Sequence, residues 1–209
     1  FGFGSSYEEF PLEVSASRLG EGNLAQIAFG QDTVLSNVFQ MALVAATVAN
    51  DGTMMEPHLV REVRSPDGII IERTSPQRER EVLDPQTAGT LQQMMVGVVE
   101  SGSATAAQIP GVEVAGKTGT AEVPPNAPHS WFIAFAPADD PQIAVAVLVE
   151  NGGDGEKQAL PIARQLIASY LDLPSRPRRG PQLPENLPQQ LPEELQGLPQ
   201  RLFGENGRP

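Results

Sequence analysis

The sequence predicts an α+β fold, a short antiparallel meander closed by a last helix, and three observations carry this. Apolar helical stretches come first, three β-type runs joined by short Pro-bearing connections follow, and an amphipathic helix comes after them. The 209 residues are enough for one sizeable core. The absence of Cys excludes a disulfide scaffold, a Cys-ligated metal site and a cysteine nucleophile. A net charge of −12 makes nucleic acid and anionic membranes poor partners. The longest apolar runs, Met41 to Ala49 and Ile143 to Val149, fall well short of the ~20 residues that span a bilayer.

Taken in order, Ser36 to Asn50 is apolar and Ala-rich, opens with Ser36 as an N-cap and stops at Asn50-Asp51-Gly52, which predicts a buried helix. Leu59 to Val63 and Ile69 to Glu72 flank Ser65-Pro66-Asp67-Gly68 as two short strands around a turn. Asp84-Pro85 starts a second helix with Pro at its first position, and Leu91, Met94, Met95 and Val98 fall at core spacing. Val112 to Ala121, Ser130 to Phe135 and Gln142 to Glu150 read as strands. The connections between them are short enough for antiparallel neighbours. Pro161 to Leu171 is the closing helix.

Composition shifts at Leu173, which sets residues 1–173 as the globular part and 174–209 as a tail. In the tail Pro recurs from Pro174 to Pro209 among Gln, Leu, Glu and Arg without a β-branched residue, the composition of an extended, disordered segment. Acidity belongs to the first part, which holds 22 acids against nine bases, compared with four and five beyond it. A solvated surface accounts for that excess.

Gly111 to Thr118 matches the phosphate-loop pattern G-x-x-x-x-G-K-[ST]. That pattern holds phosphate only between a buried strand and a helix that starts at the Lys. Here Ala104 to Pro110 is no buried strand, Pro124-Pro125 leaves no room for the helix, and Val112 and Val114 bracket Glu113 as strand residues would. Read as a strand, the same stretch presents Lys117-Thr118-Gly119, the K-T-G element of β-lactamases and penicillin-binding proteins. Strand parity sets Thr118 and Thr120 on one face and Lys117 on the other. Two hydroxyls spaced so can hold a substrate carboxylate, and a Lys117 ammonium on the buried side sets the field. Gly119 lets a substrate backbone lie close, and the Thr120 amide can meet a developing oxyanion.

The wider text adds Gln26 to Gln31, Gln40 to Gly52, Met94 to Gly102, Val114 to Glu122 and Trp131 to Pro137, in that order. As an ordered set over Phe1 to Leu173 this closely resembles the C-terminal half of the transpeptidase domain of class B penicillin-binding proteins. The resemblance implies a serine β-lactamase/transpeptidase-like fold, an antiparallel sheet flanked by helices, with the Lys117 strand as one wall of a groove and Trp131 to Phe135 beside it. It implies a peptidoglycan D,D-transpeptidase that works through a serine acyl-enzyme, with Lys117 catalytic and Thr118, Gly119 and Thr120 binding substrate. The implied partners are D-Ala-D-Ala stem peptides, β-lactam antibiotics and other cell-wall synthesis proteins, with no cofactor and no metal. The implied location is outside the cytoplasmic membrane, tethered through an N-terminal helix.

The family's Ser-x-x-Lys and Ser-x-Asn elements are not in this text. The residues three before Lys117 and Lys157 are Val114 and Asp154, and no Asn follows a Ser by two positions. The chain is therefore expected to be a piece, inactive alone, of a longer protein. A β-lactam sensor or β-lactamase fragment and a non-catalytic binding module are the rival readings. His129 is expected to make a local turn contact, His58 to lie at the surface, Glu122 to be structural, and Ser101 to Thr105 to be either a flexible turn or a substrate contact.

Overall fold

The computed structural model describes residues 35–172 together with Ala25, Ile27, Gly30 and Gln31. The expected tail, 174–209, lies outside the described residues. Contacts group residues 1–172 as one unit, which holds every described element.

Helix α1 spans Val38–Ala49. The expected cap, Ser36, is corrected to Asn37. Extended backbone at Asn37 puts its side chain over the first turn, where its carbonyl accepts from Gln40 N at 2.8 Å and Gln40 Oε1 accepts from Asn37 N at 3.0 Å. Ser36 instead hydrogen-bonds Asn37 O and Gln40 Oε1. The helix stops where Asp51 and Gly52 take φ of 51° and 84°. A Cβ on Gly52 would sit 2.2 Å from Leu83 O, so only glycine fits this exit.

Two small ribbons come next. Strand β1 (Thr53–Met55) pairs antiparallel with β4 (Arg78–Glu81), a pairing that no apolar pattern predicts, and β2 (Glu62–Arg64) pairs with β3 (Ile70–Arg73). The expected turn between β2 and β3 is closed by Gly68 N donating to Ser65 O at 2.9 Å with Gly68 at φ 84°. Glu62 gathers Arg64 and Arg73, and the hydrogen bond from Arg64 is the main reason its carboxyl is held below the ordinary range.

Helix α2 spans Pro85–Glu100 with Asp84 as N-cap, accepting from Thr87 N and Thr87 Oγ1 at 2.9 and 2.7 Å. These bonds, the side-chain one first, lower the Asp84 pKa. Ala88, Met95 and Val99 face the core. Met94, expected to pack, is 62% exposed, because it falls outside the stripe that Ala88, Met95 and Val99 define.

The main sheet has the order β5-β6-β7, with β5 Ala115–Ala121, β6 His129–Ala136 and β7 Ile143–Val149, all antiparallel. The expected strand start at Val112 moves to Ala115. Gly111 at φ 78° turns the chain so that Val112 N meets Ile109 O, and Glu113 O is taken by Ala138 N, so neither residue joins the ladder. Helix α3, Ala159–Asp172, lies on one face, where Phe132, Ala134, Val145 and Val147 meet Ala159, Leu160, Ala163 and Ile167. The other face gives Ala115 and Phe135 to Val48 of α1 and Met95 of α2. Phe132, Phe135, Leu160 and Ile167 are fully buried, each stabilising by roughly 1.5–3 kcal/mol. Among the described residues no helix is long and apolar enough to cross a membrane.

Candidate active site

A strand runs through Lys117, so no helix begins there and the phosphate-loop alternative is set aside. The register pairs Lys117 with Ile133, Thr118 with Phe132, Gly119 with Trp131 and Thr120 with Ser130. Strand β5 stands at the end of the sheet, and among the described residues its outer side has no paired strand. Its first half is core, with Ala115 and Gly116 buried, and its second half is open, with Lys117 and Thr120 exposed. The strand therefore delivers Thr118 and Thr120 on one face and Lys117 on the other, as parity required.

Lys117 departs from the expected buried side. Its exposed ammonium donates to Thr118 O at 2.6 Å. Gln31 Nε2 donates to Thr120 O at 2.9 Å. Both carbonyls thus belong to the outer edge, and in an antiparallel ladder the N–H of each residue points the same way as its carbonyl. The Thr118 and Thr120 N–H groups consequently share the outer edge, the direction an oxyanion donor needs.

Two glycines keep this edge thin. A Cβ on Gly119 would lie 3.2 Å from Trp131 Cβ, and one on Gly155 would fall 2.5 Å from both Gly119 O and Trp131 O. The turn before α3 therefore rests directly on the Gly119–Trp131 rung. Ser130, wholly buried, ties that turn down by donating to Asp154 O at 3.0 Å and accepting from Ala159 N at 3.1 Å.

Ser103, inside the Ser101 to Thr105 stretch expected as a flexible turn or a substrate contact, reaches the site, and Gln31 joins it without having been singled out as a site residue. The Ser103 hydroxyl lies 3.2 Å from Thr118 Oγ1. Its loop is packed, since Ala104 is buried, its N donates to Val98 O at 3.0 Å, and a Cβ on Gly102 would meet Val98 Cα at 2.8 Å. No pattern in the sequence distinguishes Ser103, and Gln31 lies 89 positions from its partner. His129, expected at a turn with a local contact, instead opens β6, and its Nδ1 accepts from Asn151 N, 22 positions on, at 3.0 Å.

An edge strand with a cation, two hydroxyls and outward N–H donors has the chemistry to receive a carboxylate or an oxyanion. The match to the penicillin binding protein transpeptidase domain covers residues 1–168, and the chain belongs to that family. The peptidoglycan D,D-transpeptidase PbpA of Mycolicibacterium smegmatis is 44% identical over 184 residues, covering 82% of this chain and 37% of that protein. The protein of the same name from Mycobacterium tuberculosis is 40% identical over the same shares. Among solved structures, penicillin-binding protein A of M. tuberculosis as an imipenem acyl-enzyme complex is 42% identical with a TM-score of 0.67, over 73% of this chain and 34% of that one. The chain thus spans little more than a third of these curated relatives, 37% of each.

Proposed function

We propose that this chain is the C-terminal part, residues 1–173, of the transpeptidase domain of a class B penicillin-binding protein, followed by a tail at 174–209. The intact protein is a peptidoglycan D,D-transpeptidase. The observation that carries this reading is the open edge of β5 with Thr118 and Thr120 on one face and their N–H groups turned outward.

In the reaction, a serine supplied by residues outside this chain attacks the penultimate carbonyl of a D-Ala-D-Ala stem. A serine ester bond forms, the peptide bond to the terminal D-alanine breaks, and that amine leaves with a proton. The amine of a second stem then takes the acyl group and frees the serine. Thr118 and Thr120 hydroxyls receive the terminal carboxylate, Gly119 admits the substrate backbone, and the Thr120 N–H stabilises the oxyanion. The Lys117 ammonium supplies positive field beside them. β-Lactams acylate the same serine, and the relative in an imipenem acyl-enzyme complex agrees with this. A further relative, 30% identical and solved within a peptidoglycan synthase complex, supports cell-wall synthesis proteins as partners. The site works outside the cytoplasmic membrane, with the anchor in a helix beyond this chain.

Labelling with a fluorescent penicillin tests this. The intact protein takes one label, Lys117→Ala slows labelling by at least tenfold, and this chain alone takes none. A stoichiometric adduct on the chain alone, or an intact protein that never labels, overturns the reading.

A further inference from the structure

A cavity of about 630 Å³ opens between the end of α2, the 105–114 segment and α3, and none of Lys117 to Thr120 lines it. Its apolar wall includes Val99, Ile109 and Val112. Gly111 at φ 78° bows the chain so that Ile109 and Val112, bridged to each other, stand beside the space without filling it. Gln108 organises the polar side. Its Nε2 donates to Val99 O and Glu100 O at 3.1 and 3.0 Å, satisfying carbonyls at the end of α2, and its own carbonyl accepts from Arg164 Nε at 2.9 Å. The guanidinium is thereby held by one corner. Among the described residues nothing accepts from its Nη groups, and no ion pair joins Arg164 to Glu100 or Glu113, which line the same cavity.

A guanidinium engaged only at Nε still offers the N–H groups of both Nη atoms, and a carboxylate can take two of them in parallel. The two glutamates set two negative charges against that one positive charge, so the lining repels a bare anion and draws an ammonium. A ligand that answers all three carries both charges on an aliphatic body, and the volume suits a molecule of a few residues. We propose that this cavity is a second binding site, for a short aliphatic peptide with both ends free, its carboxylate on Arg164 and its ammonium on Glu113 and Glu100. Gln108 already orients Arg164, so binding gives up little of that side chain's freedom. The proposal does not depend on the transpeptidase reading, because none of the residues that reading uses lines the cavity.

Calorimetry on the intact protein tests it with three probes, the tripeptide leucyl-alanyl-leucine with both ends free, its N-acetyl form and its C-terminal amide. The free peptide binds saturably, and blocking either end weakens binding at least fivefold, the least expected for a hydrogen bond to a charged group. Arg164→Gln removes the preference for the free acid over the amide, and Glu113→Gln reduces the preference for the free amine over the acetyl form. The second variant and the blocked probes on the wild type decide the matter if Arg164→Gln folds poorly. Lys117→Ala leaves all three affinities within twofold, which separates this site from the open edge of β5. A free peptide that does not bind, an end whose blocking costs nothing, preferences that survive both substitutions, or preferences lost in Lys117→Ala overturn the proposal. Labelling by penicillin is unaffected by any of these outcomes, so the transpeptidase reading stands or falls separately.

Discussion

The hydroxyls of Ser103 and Thr118 lie 3.2 Å apart, joining the loop after α2 to the exposed half of β5. One hydroxyl donates and the other accepts, so the accepting one keeps its proton for a ligand. With Ser103 donating, the Thr118 O–H is left to point away from the Ser103 loop. Ser103→Ala in the intact protein should slow acylation by a penicillin about threefold to tenfold, the range for one hydrogen bond, and Ser103→Thr should restore most of it. Equal rates for wild type and the alanine variant would show that this pair does not orient Thr118.

Ser130→Ala should destabilise the folded chain by about 2 kcal/mol. The hydroxyl is fully buried and serves two backbone groups, accepting from the buried Ala159 N and donating to Asp154 O, and its loss takes a partner from both. Urea unfolding followed by circular dichroism reads this as a lower midpoint at unchanged slope.

Two glycine substitutions should move stability in opposite directions. Gly155→Ala drives a methyl group to within 2.5 Å of two backbone oxygens, neither of which can rotate away, and should cost about 1–3 kcal/mol or more. Gly89→Ala, inside α2 with nothing within 4 Å of its Cβ, should stabilise by about 0.5–1 kcal/mol. The same unfolding measurement separates them by sign.

Acid should loosen α2 through its cap. The Asp84 carboxyl has a lowered pKa in the folded state, chiefly through its bond with Thr87, so the folded chain gives up this proton more readily than the unfolded one does. Its contribution is fully present above the unfolded value, about pH 4, and is lost as pH falls through the lower folded value. Glu62 adds to this with the same sign. Asp84→Asn keeps a capping side chain and removes the titration, so its midpoint should vary less between pH 5 and pH 2 than that of the wild type, tracked by thermal melts.

Periodicity and punctuation made α2, the β2–β3 turn and all three strands of the main sheet legible. Asp84-Pro85 marks a cap and a first helical position chemically, and Pro124-Pro125, which leaves no room for a helix after Lys117, separates a strand from a phosphate loop, whereas the alternation at Val112 to Val114 precedes the ladder. The β1–β4 ribbon was not legible, because Arg78 to Glu81 is entirely charged and is held by pairing with Thr53 to Met55 with no apolar stripe of its own. The shift from Ser36 to Asn37 shows two adjacent cap-forming residues competing, decided by backbone angles that no pattern states. At the site, Lys117 to Thr120 could be read from one tripeptide in a strand, whereas Ser103 and Gln31 reach it only through the folded path of the chain.

Strand β5 is laced to β6 along its whole length, and at its buried start Gly116 is packed so tightly that a Cβ would lie 2.6 Å from the Phe132 ring. Phe132 is also the register partner of Thr118, so one aromatic ring underlies both the buried start and the open half of the strand. Substitutions at Gly116 or Phe132 should therefore shift Thr118 from beneath, and escape from an inhibitor can arise from the packed layer under the strand as well as from its exposed edge.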